Sequence, residues 1–188
     1  MSDTIRTFIA IKLPKNIISS IDKIQEGLIT YGFKVRWVRP QNIHLTLKFL
    51  GNISKADIDK IGDTMTESVG EYGPISLNVK GIGAFPGIKR PRVVWVGITG
   101  RIDRLAGLQG KLEKKLAEIG FPEENRPFKG HLTIGRVKGK IDPKRFLDAM
   151  HEFAESGSTT FIADKIILFR SELKPSGAVY TELLNASL

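Results

Sequence analysis

The stretch His44-Leu45-Thr46-Leu47 has an echo at His131-Leu132-Thr133-Ile134, and the reading of this pair decides the fold. Both segments alternate aliphatic with polar residues and are bounded by turn residues, the pattern of short strands. Successive side chains of a strand face opposite ways. His44 and Thr46 therefore share one face, as do His131 and Thr133, while Leu45, Leu47, Leu132 and Ile134 turn to the other. An imidazole and a hydroxyl two residues apart on a strand are separated by about 6–7 Å, within reach of one phosphate-sized group. The chain has three histidines, and two of them hold the same place in the same tetrapeptide.

Outward from these strands the two halves of the chain read alike. In the first, a strand over residues 5–13 leads through Pro14 into a helix carrying Ile17, Ile21, Ile24 and Leu28 at helical spacing, with Gly32 as its stop. A short extended link, 34–38, precedes the motif strand, 43–50, which Gly51 closes. Ser54-Lys55-Ala56-Asp57 reads as a capping box for a helix with Ile58, Ile61 and Met65, followed by a strand over 75–85. In the second half, a strand over 92–99 is followed by a helix with Leu105, Leu108, Leu112 and Leu116, ending at Gly120. A loop, 122–130, reaches the second motif strand, 131–137. Asp142-Pro143 suits the N-cap and first turn of a helix with Phe146 and Met150. A single strand over 159–169 then precedes a turn at Ser176-Gly177 and a last strand over 178–184.

His131 follows His44 by 87 residues, too long a period for a solenoid and economical for an internal duplication. The expected organisation is one bilobal domain over 1–188, with repeat halves of approximately 5–85 and 92–170. The expected class is α+β: two pseudo-symmetric lobes, each a sheet with helices on its outer face, and each presenting its His-x-Thr to a cleft between them.

Composition narrows the chemistry. With 188 residues, 41% of them hydrophobic and 26% charged, the chain reads as a soluble globular protein able to bury a core. It has no cysteine, which excludes thiolate nucleophiles, disulfide scaffolds and cysteine metal sites and fits a cytoplasmic location. Neither a signal peptide nor a membrane span is expected. The net charge of +9 suits either plain solubility or a polyanionic partner such as nucleic acid. Arg36, Arg39 and Lys48 lie before and within the first motif, Lys89, Arg90 and Arg92 between the halves, and Arg126, Lys129, Arg136 and Lys138 around the second.

Two imidazoles converging from opposite sides make a general base and a general acid, because an ordinary histidine titrates near pH ~6.5. One would take a proton from water and the other give one to the leaving oxygen of a phosphodiester. The threonine hydroxyls would donate to the non-bridging oxygens, where charge grows. Structural histidines at strand ends, or a metal site, are the competing readings; a zinc ion normally needs three or four ligands, and neither strand supplies a carboxylate or cysteine beside its histidine. Lys48 falls on the histidine face by strict alternation, which makes it a candidate substrate-binding residue, with a solvated lysine as the alternative. Phe49 and Phe128 are expected in the core, with stacking on a base as the alternative.

His44-Leu-Thr-Leu-Lys-Phe-Leu-Gly51 and Arg126-Pro-Phe-Lys-Gly-His-Leu-Thr-Ile-Gly-Arg136 resemble the two-histidine (2H), LigT-like phosphoesterases. Within them the chain looks like the RNA 2′,3′-cyclic phosphodiesterase branch, also known as 2′-5′ RNA ligase. Arg6-Thr-Phe-Ile-Ala-Ile and Val179-Tyr-Thr-Glu fit that branch too, so the resemblance spans nearly the whole chain. It implies a bilobal fold with antiparallel-type sheets and hydrolysis of an RNA 2′,3′-cyclic phosphate end to a 2′-phosphate. Metal-free hydrolysis is implied with it and no cofactor is expected; because the cleft is completed within one chain, a monomer is expected. The joining of such an end to a 5′-hydroxyl through a 2′-5′ bond is implied as a companion reaction. By the same resemblance His44 is the proton donor, His131 the proton acceptor, and Thr46, Thr133 and Arg136 phosphate ligands. Arg136 lies five residues past His131, so only a bulge or the strand's end returns it to the histidine face. Gly130 departs from the proline that often precedes the second histidine. Other readings of the same cleft are a non-catalytic RNA-end binder and an enzyme for a small cyclic nucleotide.

Overall fold

The computed structural model describes residues 4–153, 159–175 and 177–188. Thirteen elements follow in order: β1 (Thr4–Lys12), α1 (Lys15–Thr30), β2 (Val35–Trp37), β3 (His44–Ser54), α2 (Ile58–Val69), β4 (Ile75–Phe85), β5 (Val93–Gly100), α3 (Ile102–Glu118), β6 (His131–Val137), α4 (Pro143–Phe153), β7 (Thr159–Ala163), β8 (Lys165–Lys174) and β9 (Gly177–Ser187). The fold is α+β, with antiparallel strands in the order β7-β4-β5-β6-β3-β1-β8-β9 and β2 joined to β6. The two sheets expected to face each other are joined edge to edge. β3 and β6, the motif strands, are the seam, and one antiparallel pair, Leu45 opposite Leu132, links them.

Helices cover one face. The apolar stripes foreseen in α1 and α3 are fully buried: Ile17, Ile21, Ile24 and Leu28 in the first, Leu105, Leu108, Leu112 and Leu116 in the second. Each such side chain contributes about 1.5–3 kcal/mol of burial free energy. α1 packs with α4, which lies on β4, whereas α3 packs with α2, which lies on β9. Leu45, Leu47, Leu132 and Ile134 all join this core. Phe8, Ala10, Ile167 and Phe169 form a second, smaller cluster with Tyr180 packed on it.

Local signals behave as their chemistry predicts. The Asp142 carboxylate accepts from the Arg145 N–H at 2.8 Å, capping α4. The Ser54 hydroxyl accepts from the Ala56 N–H at 3.3 Å, but it opens a short 3-10 turn ahead of α2. Two expectations are corrected. β3 runs through Gly51 to Ser54, because residues 51–54 continue the pairing with β1. The single strand expected over 159–169 is two strands broken at Asp164, since β7 pairs with β4 at one edge of the sheet while β8 pairs with β1 and β9 near the other. The chain must cross between them, and alternation alone does not reveal a crossing inside an unbroken apolar run. Ser176 of the expected turn lies outside the described residues.

Candidate active site

Directly opposed residues of antiparallel strands place their side chains on one face. With Leu45 opposite Leu132 on the helix side, His44 falls level with Thr133 and Thr46 level with His131 on the other side. The four polar side chains of the two motifs thus form one quartet across the seam. In a regular ladder the diagonal between the histidines is on the order of 7–8 Å. Only one pair links β3 and β6, and a depression opens beside it, lined by Thr46 and His131.

Each imidazole is held by the same device. The His44 Nδ1 bonds the Asn42 carbonyl at 2.8 Å, and the His131 Nδ1 bonds the Lys129 carbonyl at 2.7 Å. A carbonyl only accepts, so Nδ1 carries the hydrogen in both rings and Nε2 is the nitrogen left for proton exchange. Asn42 is itself fixed, its amide donating to the Ala178 carbonyl at 2.8 Å.

Aromatic rings brace both histidines. Phe8 stacks on His44 with ring centres 4.6 Å apart, and Tyr180 meets it edge-on at 5.3 Å. Phe85 meets His131 edge-on at 5.0 Å, with Trp95 beyond at 6.4 Å. The Trp95 ring lies over Gly83, where a Cβ would come within 2.1 Å of it, so no larger residue fits there. Burial pushes the His44 imidazole below its ordinary range, partly offset by the bond to Asn42. Burial also raises the Tyr180 phenol, and Arg136 and Arg6 pull it back, which puts both guanidinium groups in electrostatic range of the His44 side of the cleft.

The sequence profile described as LigT like Phosphoesterase matches this chain twice in tandem, over residues 11–95 and 96–180, each match containing one His-Leu-Thr unit. The chain belongs to the LigT-like phosphoesterase family. It is 34% identical to the RNA 2′,3′-cyclic phosphodiesterase of Methanocaldococcus jannaschii, over 93% of this chain and 96% of that one. It is likewise 34% identical to the RNA 2′,3′-cyclic phosphodiesterase of Thermotoga maritima, over 95% of this chain and 92% of that one. The crystal structure of apo E. coli LigT superposes with a TM-score of 0.80 at 24% identity, covering 100% of this chain and 99% of that one. At that identity the likeness speaks for the fold.

In this LigT-like chain a matched irregularity decides where the residues after each motif point. Thr46 pairs with Ala10 but Lys48 with Ile9, so Leu47 is an extra residue in β3. Thr133 pairs with Trp95 but Gly135 with Val94, so Ile134 is an extra residue in β6. The two bulges reverse the alternation beyond them. Arg136 is thereby returned to the histidine face and is exposed. Phe49, its counterpart in β3, is 65% exposed and does not join the core. Phe128 packs partly against the core and lines a depression with Thr46, Phe49, Lys129 and His131.

The expectation for Lys48 is corrected. The same bulge turns it toward α3, where its ammonium is buried, pairs with Glu113 and donates to the Pro122 carbonyl at 2.6 Å. It does not share the face of Thr46.

Buried glutamines hold the bulges and went unnoticed in the sequence. Gln25 of α1 donates to the Ile134 and Val38 carbonyls at 2.8 Å each. Gln109 of α3 donates to the Leu47 carbonyl at 3.3 Å. Each amide thus reaches the carbonyl of a bulged residue, and that of Ile134 also accepts from the Val38 N–H at 2.9 Å. Their sequence signal is an amide on an otherwise apolar stripe: Gln25 between Ile24 and Leu28, Gln109 between Leu108 and Leu112.

Among the described residues no three or more histidine, aspartate and glutamate side chains gather as metal ligands would. No helix among them is long and apolar enough to cross a membrane.

Proposed function

We propose that the chain hydrolyses 2′,3′-cyclic phosphate ends of RNA to 2′-phosphates, with His44 as proton donor and His131 as proton acceptor. The observation that carries this reading is the matched pair of imidazoles, each with Nδ1–H on a carbonyl of its own strand's approach and Nε2 left for chemistry. The names of the M. jannaschii and T. maritima relatives support the substrate.

In this mechanism a water oxygen attacks phosphorus opposite the 3′-oxygen. The His131 Nε2 takes a proton from that water as the new P–O bond forms. The bond from phosphorus to the 3′-oxygen breaks, and the His44 Nε2–H passes its proton to that oxygen. Solvent resets both rings. Thr46 and Thr133 hydroxyls donate to the non-bridging oxygens, and Arg136 neutralises their growing charge. A 5′-hydroxyl taking the place of water would yield a 2′-5′ bond by the same proton transfers.

Burial disfavours the charged form of His44, and an anionic phosphodiester beside it would favour that form. The donor is therefore charged by its substrate. We further propose that the halves 5–85 and 92–170 are a duplicated unit folded as one domain, that the protein works as a monomer in the cytoplasm, and that no metal takes part.

Single-turnover hydrolysis of a 2′,3′-cyclic nucleotide in excess EDTA tests the reading. Wild type is expected to retain full activity with chelator, whereas folded His44→Ala and His131→Ala variants lose it by at least about 100-fold each. Full activity in either variant, or loss on chelation, would remove the mechanism.

A further inference from the structure

Beyond the quartet, the end of β6 and its partner β2 bring four basic residues together. Arg36 of β2 stands directly opposite Arg136 of β6. One step on, the Lys138 N–H donates to the Lys34 carbonyl at 2.7 Å, so these lysines stand level as well. Val35, Trp37, Gly135 and Val137 alternate with the four cations and turn to the helix side; a Cβ on Gly135 would come within 2.5 Å of Val35. All four cations are exposed, and none has a carboxylate partner among the described residues.

Like charges directly opposite each other destabilise a strand pair. Two successive rungs of them, with no acid between, make sense where a polyanion lies across them. The ladder is also continuous with the phosphate site. Past the Ile134 bulge, Arg136 returns to the face of His131 and Thr133, and Lys138 follows one residue beyond the end of β6. At the strand ends Lys89, Arg90, Arg92 and Lys140 line a further depression that extends the basic path. Along a strand, alternate side chains are about 6–7 Å apart, so successive rungs suit successive phosphates of an extended strand.

We infer that Lys34, Arg36 and Lys138, continuing from Arg136 at the reacting phosphate, seat the sugar–phosphate backbone leading to the cyclic end, so that the protein selects RNA ends over free cyclic nucleotides. This rests on the hydrolase reading and adds the length of RNA that is read.

The test compares wild type with a Lys34→Gln/Arg36→Gln/Lys138→Gln variant, leaving Arg136 in place. Two quantities are measured: kcat/KM for a cyclic mononucleotide and for a cyclic-ended octaribonucleotide, and binding of a 2′-phosphate-ended octamer against salt. The triple variant is expected to match wild type on the mononucleotide and to lose roughly tenfold or more on the octamer at low salt. Its salt slope should fall by about 2, near 0.7 per cation removed from a single-strand contact. Relief of the opposed charges should leave its melting temperature equal or higher, which separates lost contact from lost fold.

An unchanged octamer-to-mononucleotide ratio with an unchanged salt slope would overturn the inference. So would a poly-glutamate peptide of equal charge binding as tightly as the octamer, which would point to an acidic protein partner. Failure of wild type to hydrolyse either substrate would defeat the hydrolase reading instead, while the binding arm would still decide the ladder.

Discussion

Leu45 stands opposite Leu132 at the centre of the sheet, and this pair alone joins the two motif strands. Both side chains are fully buried, and their register brings two histidines and two threonines, far apart in sequence, to one face. A pair so placed serves stability and site geometry together. Leu132→Ala is expected to cost about 2–5 kcal/mol, the range for buried leucine truncations, as read by urea denaturation. It should also loosen the quartet, so that activity per folded molecule falls. An unaltered rate per folded molecule would separate the seam from the site.

The bulges predict a second effect. Gln25→Leu leaves the Val38 carbonyl without its side-chain donor, at about 1–3 kcal/mol for a group left unsatisfied, while the Ile134 carbonyl keeps the Val38 N–H at 2.9 Å. Gln109→Leu does the same to Leu47 on the other strand. Equilibrium denaturation checks both, and stability equal to wild type would mean that water or a shifted backbone replaces the amides.

Lys48 and Glu113 form a buried pair whose carboxylate also accepts from Gln109 at 2.9 Å and from the Glu124 N–H at 3.1 Å. Removing one partner strands a buried charge, so Lys48→Met should lose about 3–5 kcal/mol. Lys48→Met/Glu113→Leu should recover much of that loss, because no buried charge then remains. A double variant as unstable as the sum of the singles would contradict this account. The pair ties the start of the 122–130 loop to β3, and that loop ends at the carbonyl that orients His131.

The depressed His44 value sets a pH dependence. A donor must be protonated, so activity falls as pH rises through its pKa. In the free protein that limb, seen in kcat/KM, should lie below the ordinary histidine value of about 6.5. In the complex the phosphodiester raises it, so the alkaline limb of kcat should lie at higher pH than that of kcat/KM. Coincident limbs would contradict a donor charged by its substrate. Stability is linked to the same group: the unfolded chain binds the proton more tightly, so the contribution is full above about 6.5 and is lost as pH falls from there through the lower folded pKa. His44→Gln should flatten this part of the stability–pH curve.

Much of this molecule is legible in its sequence, and the reason is periodicity. Strand alternation around His44 and His131 and the helical spacing of Ile17 to Leu28 and Leu105 to Leu116 each report burial directly. Alternation stops being informative where one residue is added. Leu47 and Ile134 look like ordinary core residues, yet they reverse everything after them, sending Lys48 inward and Phe49 and Arg136 outward. The aromatic braces of His44 come from β1, β8 and β9, strands whose pairing depends on topology that local pattern does not encode. The break at Asp164 is hidden for the same reason.

The most direct measurement identifies the product made from a 2′,3′-cyclic-ended RNA. Because His44 is assigned to protonate the departing 3′-oxygen, wild type should give the 2′-phosphate alone, and folded His44→Ala and His131→Ala proteins should give none. A 3′-phosphate product, or turnover that survives loss of either imidazole, would contradict the account.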